Sequence, residues 1–311
     1  MSPSESLGRV WVTGHTGMLG SAVVRRLDQL SVPTLTIKSS RLDLTRRTEV
    51  AEWMAEVRPD TVIMCASRVG GVADMARHPV DFLSDNLAMQ GNVIDGAHRS
   101  KVKRLIFVAS AAIYPAGAES PIAEETLFSG TFDAHTQWYG MAKAVGVKLC
   151  ESYARQYGCN FTAVAPCNLY GPGDCFDGGS RSRVVGALFR RATDAAAAGL
   201  DRLEVWGTGT PLRELMYVDD CASALLHVAT LSDDRLINIG SGHEISIRSL
   251  AERIATVAGF TGKLDFLTDK PDGVSRRLLD STRLHNLGWT PKVDLDQGLR
   301  RTWAWFRQAG E

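Results

Sequence analysis

Short apolar runs alternate with longer amphipathic runs through the first half of the chain, and this alternation constrains the fold more than any other feature. The apolar runs VWVTG, TLTIK, TVIMCAS, RLIFVAS and FTAVAP predict strands, and segments such as MLGSAVVRRLDQL between them have helical spacing. Strands joined through helices pair in parallel with right-handed crossovers. Nearly continuous apolar strands suit a sheet covered on both faces. The sequence therefore predicts an α/β fold built on a doubly wound parallel sheet.

The alternation changes after about residue 170. The segment GPGDCFDGGSRSR (171–183) has no clear period and predicts a loop that can fold over a ligand. We expect residues 1–170 to form the sheet domain, to which the chain returns near 216–241. Residues 171–311 are expected mainly to form a smaller C-terminal α/β lobe that binds the substrate.

Composition excludes several classes of partner. Lys plus Arg and Asp plus Glu both number 35, so no overall positive field attracts nucleic acid or an anionic membrane. The N-terminal residues lack a basic and apolar leader, and no apolar run reaches the roughly 18 residues of a membrane span. The six cysteines form no CxxC pair, which favours reduced thiols over a metal site or disulfides. We expect a cytoplasmic protein with a small-molecule substrate and no metal.

Three glycines follow the first predicted strand and open the first predicted helix. Gly14, Gly17 and Gly20 stand in VTGHTGMLG, where glycine lets the backbone turn tightly and approach a pyrophosphate at a helix N-terminus. A plain strand-to-helix turn with packing glycines remains the alternative.

The second predicted strand ends in a cation and hydroxyls. Its last residues, IKSSR, place Lys38 and Arg41 where an acidic residue usually binds the ribose 2′-hydroxyl. A lysine suits a 2′-phosphate, so we expect NADPH rather than NADH, unless Lys38 and Arg41 are merely solvated turn residues.

A tyrosine and a lysine stand four residues apart in a predicted helix. Tyr139 and Lys143, in WYGMAK, therefore share one helix face. A neighbouring ammonium stabilises a phenolate and brings Tyr139 closer to useful proton transfer. Ser110, at the carboxyl end of the preceding strand, can donate to the same substrate oxygen. The three residues predict a carbonyl reductase in which Tyr139 protonates oxygen while hydride reaches carbon.

With these motifs, the chain resembles the extended short-chain dehydrogenase/reductase family, and within it the GDP-L-fucose synthases, epimerase/reductases acting on GDP-4-keto-6-deoxy-mannose. The resemblance implies a Rossmann domain with a small C-terminal lobe, usually in a homodimer. It covers nearly the whole chain and is carried by GHTGMLG, SRVGGV, HPVDFLSDN, AAIYP, YGMAKAVGVKLCESYARQYG, NLYGPGDCF, VWGTGTPLRELMYVDD and KPDGVSRRLLDSTRLHNLGW.

The resemblance also implies the ligand contacts. The family's catalytic set falls on Ser110, Tyr139 and Lys143, and Trp206 either stacks on the nucleotide or packs in the core. The implied cofactor contacts are Gly14, Thr16, Gly17, Met18, Leu19, Gly20, Lys38, Ala66, Asn86, Lys143, Pro166, Asn168 and Leu169, and the substrate contacts are Arg183, Arg191, Trp206, Arg213 and Lys270.

Two positions depart from the family pattern. The family assigns inversion at C3 and C5 to a cysteine two residues after the serine and to a histidine before the substrate-lobe helix. Here these positions hold Ala112 and Arg183. A methyl group exchanges no proton, and a guanidinium stays protonated. Rescue by Cys167, Cys175 or His135 is the alternative.

The leading hypothesis is an NADPH-dependent C4 reductase of a GDP-4-keto-6-deoxy sugar, hexose or heptose, that leaves the neighbouring carbons uninverted. The alternatives are a complete GDP-L-fucose synthase with relocated acid and base, a sugar-nucleotide 4-dehydrogenase or 4-epimerase, and a non-catalytic NADP-binding sensor.

Overall fold

A computed structural model describes residues 6–178, 182–231, 236–270 and 272–309. Its large sheet has six strands, all parallel, in the order β2-β1-β3-β4-β5-β9. The predicted doubly wound α/β class is therefore confirmed. The strands are β1 Val10–Thr13, β2 Thr34–Leu35, β3 Thr61–Met64, β4 Arg104–Val108, β5 Phe161–Pro166 and β9 Ile237–Ile239.

Helices cover both faces of this sheet, which explains why its strands are apolar throughout. All four residues of β1 and of β3 are buried, as expected when neither face meets water. The helices that the chain adds around the sheet are α1 Met18–Gln29, α2 Arg47–Val57, α3 Val72–Arg77, α4 Pro79–Arg99, α5 Gln137–Tyr157 and α7 Val218–Ala229.

The second strand is shorter than the run TLTIK predicts. It ends at Leu35 because the chain turns at Lys38, whose carbonyl accepts the amide of Arg41 at 2.9 Å. This turn leaves the Lys38 side chain exposed beside the carboxyl end of β1.

The C-terminal part forms smaller sheets with a core of their own. Phe189, Leu250, Ile254 and Leu299 are fully buried in that second core. One sheet has the order β10-β8-β6 and the other pairs β11 with β7. The strands are β6 Asn168–Tyr170, β7 Arg202–Trp206, β8 Leu212–Tyr217, β10 Glu244–Ser246 and β11 Lys263–Leu267, and the helices are α6 Val184–Ala197, α8 Ile247–Ala258, α9 Thr282–Asn286 and α10 Leu295–Ala309.

The order of the large sheet reverses at β1, which has β2 on one side and β3 on the other. Ligands of such sheets bind at this switch point, beyond the carboxyl ends of the strands. The glycine loop after β1 and the loop after β3 meet there. None of the helices in the described ranges is long and apolar enough to cross a membrane.

Candidate active site

The glycine loop packs so tightly that its backbone leaves no space for side chains at two positions. Gly14 has φ +66°, and a Cβ there would lie 2.8 Å from the backbone of Ala66. A Cβ on Gly20 would collide with the Gly14 carbonyl. Gly17, the N-cap of α1, is exposed, so this helix N-terminus is open to an anion.

A buried polar atom without a hydrogen-bond partner is a second feature of this loop that suits a bound dinucleotide. The Nδ1 atom of His15 is buried and has no hydrogen-bond partner among the described residues. A buried polar atom of this kind calls for a partner from a ligand or water. Around it, Thr16 is exposed, Leu19 is half-buried and Met18 is buried.

Asn86 organises the loop after β3 rather than standing free. Its side chain is buried, and its Oδ1 accepts the Ser67 hydroxyl at 2.8 Å and the Arg68 amide at 2.9 Å. Its Nδ2 donates to the carbonyls of Phe82 and Arg68. Asn86 thereby holds Ser67, which hydrogen-bonds to Tyr139. The predicted cofactor contacts Pro166, Asn168 and Leu169 lie where β5 ends and β6 begins.

Helix α5, which carries Tyr139, packs closely on the turn after Ser110 through a glycine. A Cβ at Gly140 would collide with the carbonyl oxygen of Ala112, so glycine allows α5 to pack directly on the short 3-10 turn Ala111–Ile113. The Ser110 hydroxyl caps this turn by accepting the Ala112 amide at 3.2 Å. The structure thus brings Ser110 and Tyr139 together, as the sequence predicts.

Tyr139 is almost completely buried, and burial raises its pKa above the ordinary value. Hydrogen bonding to Ser110, the charge of Arg183 and hydrogen bonding to Ser67 act in the opposite direction and favour the phenolate. Arg183, which the sequence prediction assigned to the substrate, is thus one of the groups that lower the pKa of Tyr139.

Lys143 is also buried and is held by the core. Its Nζ donates to the carbonyl of Val108 at 2.7 Å and lies 4.9 Å from the Phe107 ring centroid and 6.0 Å from that of Tyr139. Burial lowers the pKa of Lys143 to about 8, against the opposing effect of Cys65. Lys143 thus loses its proton at a lower pH than an exposed lysine does.

In the C-terminal lobe, two predicted substrate contacts face each other. The Arg191 guanidinium lies 4.5 Å from the ring centroid of Trp206, whose side chain is 52% exposed. Such exposure excludes the alternative in which Trp206 packs in the core.

The other predicted cations of this lobe differ in their surroundings. Arg213 donates to the carbonyls of Leu212 and Val274 at 2.8 and 2.6 Å. Lys270 is exposed and pairs with Asp269 at 3.2 Å. Among the described residues, the partner that the structure gives Lys270 is thus its own neighbour Asp269.

Sequence reasoning missed Arg277, which lies in the SRRLLD segment. Its Nη2 is buried and has no hydrogen-bond partner within the described ranges. Burial lowers the pKa of Arg277, with Asp133 acting in the other direction, and Arg277 in turn contributes to the lowered pKa of Arg213. Two neighbouring guanidiniums, one with a free N–H, are suited to an anionic group. The doubled arginine after the predicted turn was the available signal.

The positions that bear on epimerisation lie in different surroundings. Ala112 packs against the apolar cluster of Met75, Phe82 and Tyr139. Burial raises the pKa of Cys167 well above its ordinary value and so disfavours the thiolate that would have to act as the base. His135 is exposed, and Cys175 has the Ser182 hydroxyl 3.9 Å from its sulfur.

This fold, glycine loop and Ser–Tyr–Lys arrangement define a short-chain dehydrogenase/reductase. Residues 10–240 match the NAD dependent epimerase/dehydratase family. The GDP-L-fucose synthase of Sinorhizobium fredii is 45% identical over 96% of this chain and 95% of its own length. The chain therefore belongs to this family and, as the sequence predicts, to its GDP-L-fucose synthase group.

Two solved structures of similar proteins cover almost the same length. A GDP-6-OMe-4-keto-L-xylo-heptose reductase from C. jejuni superposes with a TM-score of 0.91 at 30% identity, covering 98% of this chain and 99% of that one. A GDP-mannoheptose C4 reductase from Campylobacter jejuni, with NADP bound, gives 0.87 at 31% identity, covering 97% and 99%. The fold is thus shared with two solved reductases of GDP-linked heptoses.

Proposed function

We propose that this protein is an NADPH-dependent reductase of the C4 ketone of a GDP-linked 4-keto-6-deoxy sugar, hexose or heptose, and that it leaves the carbons beside the ketone uninverted. The observation that carries the proposal is the pair of residues around Tyr139. Ala112 contributes only a methyl group to the cluster beside the phenol, and Arg183 contributes a permanent cation. Neither can remove a proton from carbon.

The residues at the switch point suit NADPH. The open N-terminus of α1 and the backbone of the glycine loop accept a pyrophosphate. The exposed Lys38 beside β1 suits a 2′-phosphate. Lys143 extends from the buried face of α5 to the Val108 carbonyl at the end of β4. The cofactor supplies hydride when bound.

The chain's own residues handle the proton and the oxygen. Tyr139 donates its phenolic proton to the ketone oxygen as that oxygen gains negative charge, and Ser110 supplies a second hydrogen bond to it. Burial of Tyr139 keeps the phenol protonated before the reaction. Burial also excludes water from the reacting oxygen.

The cations of the C-terminal lobe suit the nucleotide diphosphate. The exposed face of Trp206 can stack on a base, with Arg191 on its other side. Arg213 and Arg277 place two guanidiniums together, which is the donor arrangement that phosphate oxygens require.

Incubation with GDP-4-keto-6-deoxy-mannose and NADPH in deuterated water tests the proposal. We expect loss of NADPH absorbance and a C4-reduced product without deuterium at C3 or C5. Deuterium at either carbon would show enolisation and would support the complete GDP-L-fucose synthase reaction instead.

A pair of substitutions sharpens this test. The double variant Ala112→Cys with Arg183→His supplies a thiol and an imidazole at the two positions that depart from the family pattern. We therefore expect its product to contain deuterium at C3 or C5. Ala111→Cys with Arg183→His is the matched control, because the thiol then stands one position away.

A further inference from the structure

An extended segment of the C-terminal lobe, residues 272–280, lies against β8 and carries one of its two inward cations. The side chain of Arg213 on β8 donates to the carbonyl of Val274 at 2.6 Å and to that of Asp272 at 3.2 Å. The second half of the segment contains Arg277. The position of this segment therefore determines where both guanidiniums lie.

Two carboxylates on neighbouring strands hold the second half of the 272–280 segment. Glu214 of β8 and Glu244 of β10 are directly opposite in the antiparallel register, so their side chains share one face of the sheet. Glu214 accepts the Leu279 amide at 3.0 Å. Glu244 accepts two parallel bonds from Arg276, Nε to Oε1 at 2.9 Å and Nη2 to Oε2 at 2.7 Å. Arg277 thus lies in the chain between two anchored residues.

The two anchors differ in their burial. Glu214 is completely buried and also accepts the Gly242 amide at 2.9 Å, so its replacement disturbs the core. The Glu244 side chain is 15% exposed and that of Arg276 46%. A partly exposed ion pair adds little to stability, but a two-bond contact of this kind fixes orientation. The fold therefore does not depend on Glu244, whereas the placement of the segment does.

The cation between the anchors has a donor to offer. The Nη2 atom of Arg277 is buried and has no hydrogen-bond partner in the part of the chain that the structure describes. A buried donor of this kind calls for an acceptor from a ligand or water. A charged hydrogen bond to a phosphate oxygen forms only within about 2.7–2.9 Å, so a small displacement of the segment breaks it.

We propose that Glu244, through its two bonds to Arg276, is a positioning residue that fixes the 272–280 segment so that Arg277 and Arg213 meet the diphosphate of a GDP-sugar. The inference rests on the proposed function. Without this anchor the segment occupies other positions as well. The apparent affinity then falls in proportion to the fraction of molecules that keep the competent arrangement.

Binding of GDP to the free protein, measured by titration calorimetry, tests the inference. We expect Glu244→Gln to bind GDP about five- to tenfold more weakly than wild type. Removal of a negative charge would by itself strengthen binding of an anion, so the expected change has the opposite sign to a purely electrostatic effect. Guanosine lacks the diphosphate, so its affinity, measured by competition with a fluorescent GDP analogue, should stay within about twofold. Equal weakening of both ligands would show a general loosening of the lobe and would overturn the inference.

Exchange of the two charged partners distinguishes positioning from direct contact. Arg276→Gln should weaken GDP binding as Glu244→Gln does, and the double variant Glu244→Arg with Arg276→Glu should restore most of the affinity because it reverses the ion pair. Weakened binding in Arg276→Gln without this restoration would mean that Arg276 itself contacts the phosphates, and would overturn the inference. Arg253→Gln is the matched control, because it removes the same charge from another half-exposed ion pair of the lobe, with Asp296.

Kinetics supply the second readout. In Glu244→Gln we expect KM for a GDP-4-keto-6-deoxy sugar to rise about five- to tenfold, with kcat and KM for NADPH within about twofold, since the lost contact stabilises bound substrate and transition state alike. Unchanged GDP affinity in Glu244→Gln would overturn the inference alone. Absence of GDP binding by the wild type would overturn the proposed substrate class, and the inference with it.

Discussion

The Arg191 guanidinium covers one face of the Trp206 indole at 4.5 Å from the ring centroid, while Trp206 remains 52% exposed. A cation on one face of an aromatic ring polarises it and fixes its orientation. The other face is then presented to the cleft in one orientation, as a stacking platform requires.

The first prediction concerns this platform. Replacement of Trp206 by Ala should raise KM for the GDP-sugar by about 10- to 100-fold, because stacking of a base on an aromatic side chain is worth about 1–3 kcal/mol. Because stacking on the base stabilises the bound substrate and the transition state alike, kcat should change little. Steady-state kinetics measure both values, and Leu200→Ala, another exposed apolar residue of this lobe, serves as the control. An unchanged KM for the GDP-sugar would mean that Trp206 does not contact the nucleotide.

The second prediction concerns the proton donor. Tyr139→Phe should lower kcat by about 10²- to 10⁴-fold, the usual contribution of a positioned general acid. Fluorescence titration should show NADPH affinity within about twofold of wild type. Tyr157→Phe is the control, since Tyr157 lies at the exposed end of the same helix. Turnover within tenfold of wild type would mean that another group supplies the proton.

The third prediction concerns cofactor preference. Lys38→Asp replaces an exposed cation at the end of the β2 segment by an anion, so it should raise KM for NADPH about tenfold or more, given that a charged hydrogen bond contributes about 1.5–3 kcal/mol. KM for NADH should change much less, because NADH lacks the 2′-phosphate. Lys292→Asp makes the same charge change at another exposed position. Equal changes in KM for NADPH and for NADH would mean that Lys38 is only a solvated residue of the turn.

The fourth prediction concerns the pH dependence of stability. Glu214 is completely buried, and burial raises its pKa from 4.5 to about 7, although its carboxylate accepts the amides of Leu279 at 3.0 Å and Gly242 at 2.9 Å. The folded protein thus binds a proton more tightly than the unfolded chain between these two values. Glu214 therefore lowers the free energy of unfolding as pH rises through this window, by up to about 3 kcal/mol.

The glutamine of Glu214→Gln carries no charge at any pH. The free energy of unfolding of this variant, relative to that of wild type, should therefore increase from about pH 5 to about pH 8. Urea unfolding at several pH values measures the difference. Glu252→Gln, an exposed residue of α8, should show no such trend. A difference between wild type and Glu214→Gln that is independent of pH would mean that the buried carboxylate is ionised across the whole range.

The parts of the site that follow from local spacing were predictable from the sequence. The four-residue interval places Tyr139 and Lys143 on one helix face, and a glycine-rich turn between an apolar strand and a helix predicts the dinucleotide loop. Ser110 at the end of β4 falls at the ligand-binding edge because parallel strands end on the same side of a sheet. Each inference needs only the geometry of one or two neighbouring elements.

Contacts between distant segments were not predictable in the same way. The Arg183–Asp174 pair reaches Met18, 165 positions away in the chain. Arg277 approaches Arg213 across the lobe, and Lys270 instead pairs with its neighbour Asp269. No spacing rule selects among several cations in a loop-rich segment, since the choice depends on which backbone turns bring them to one cavity.

The sequence by itself determined the parallel sheet, the glycine loop and the Ser–Tyr–Lys set, because hydrophobic period and residue spacing encode local geometry directly. Only the tertiary structure decided that Lys143 bonds to the Val108 carbonyl with a lowered pKa and that Arg183 pairs with Asp174 beside Met18. The physical reason is that the charge of a group depends on how far folding removes it from water and on which other charges folding brings near it.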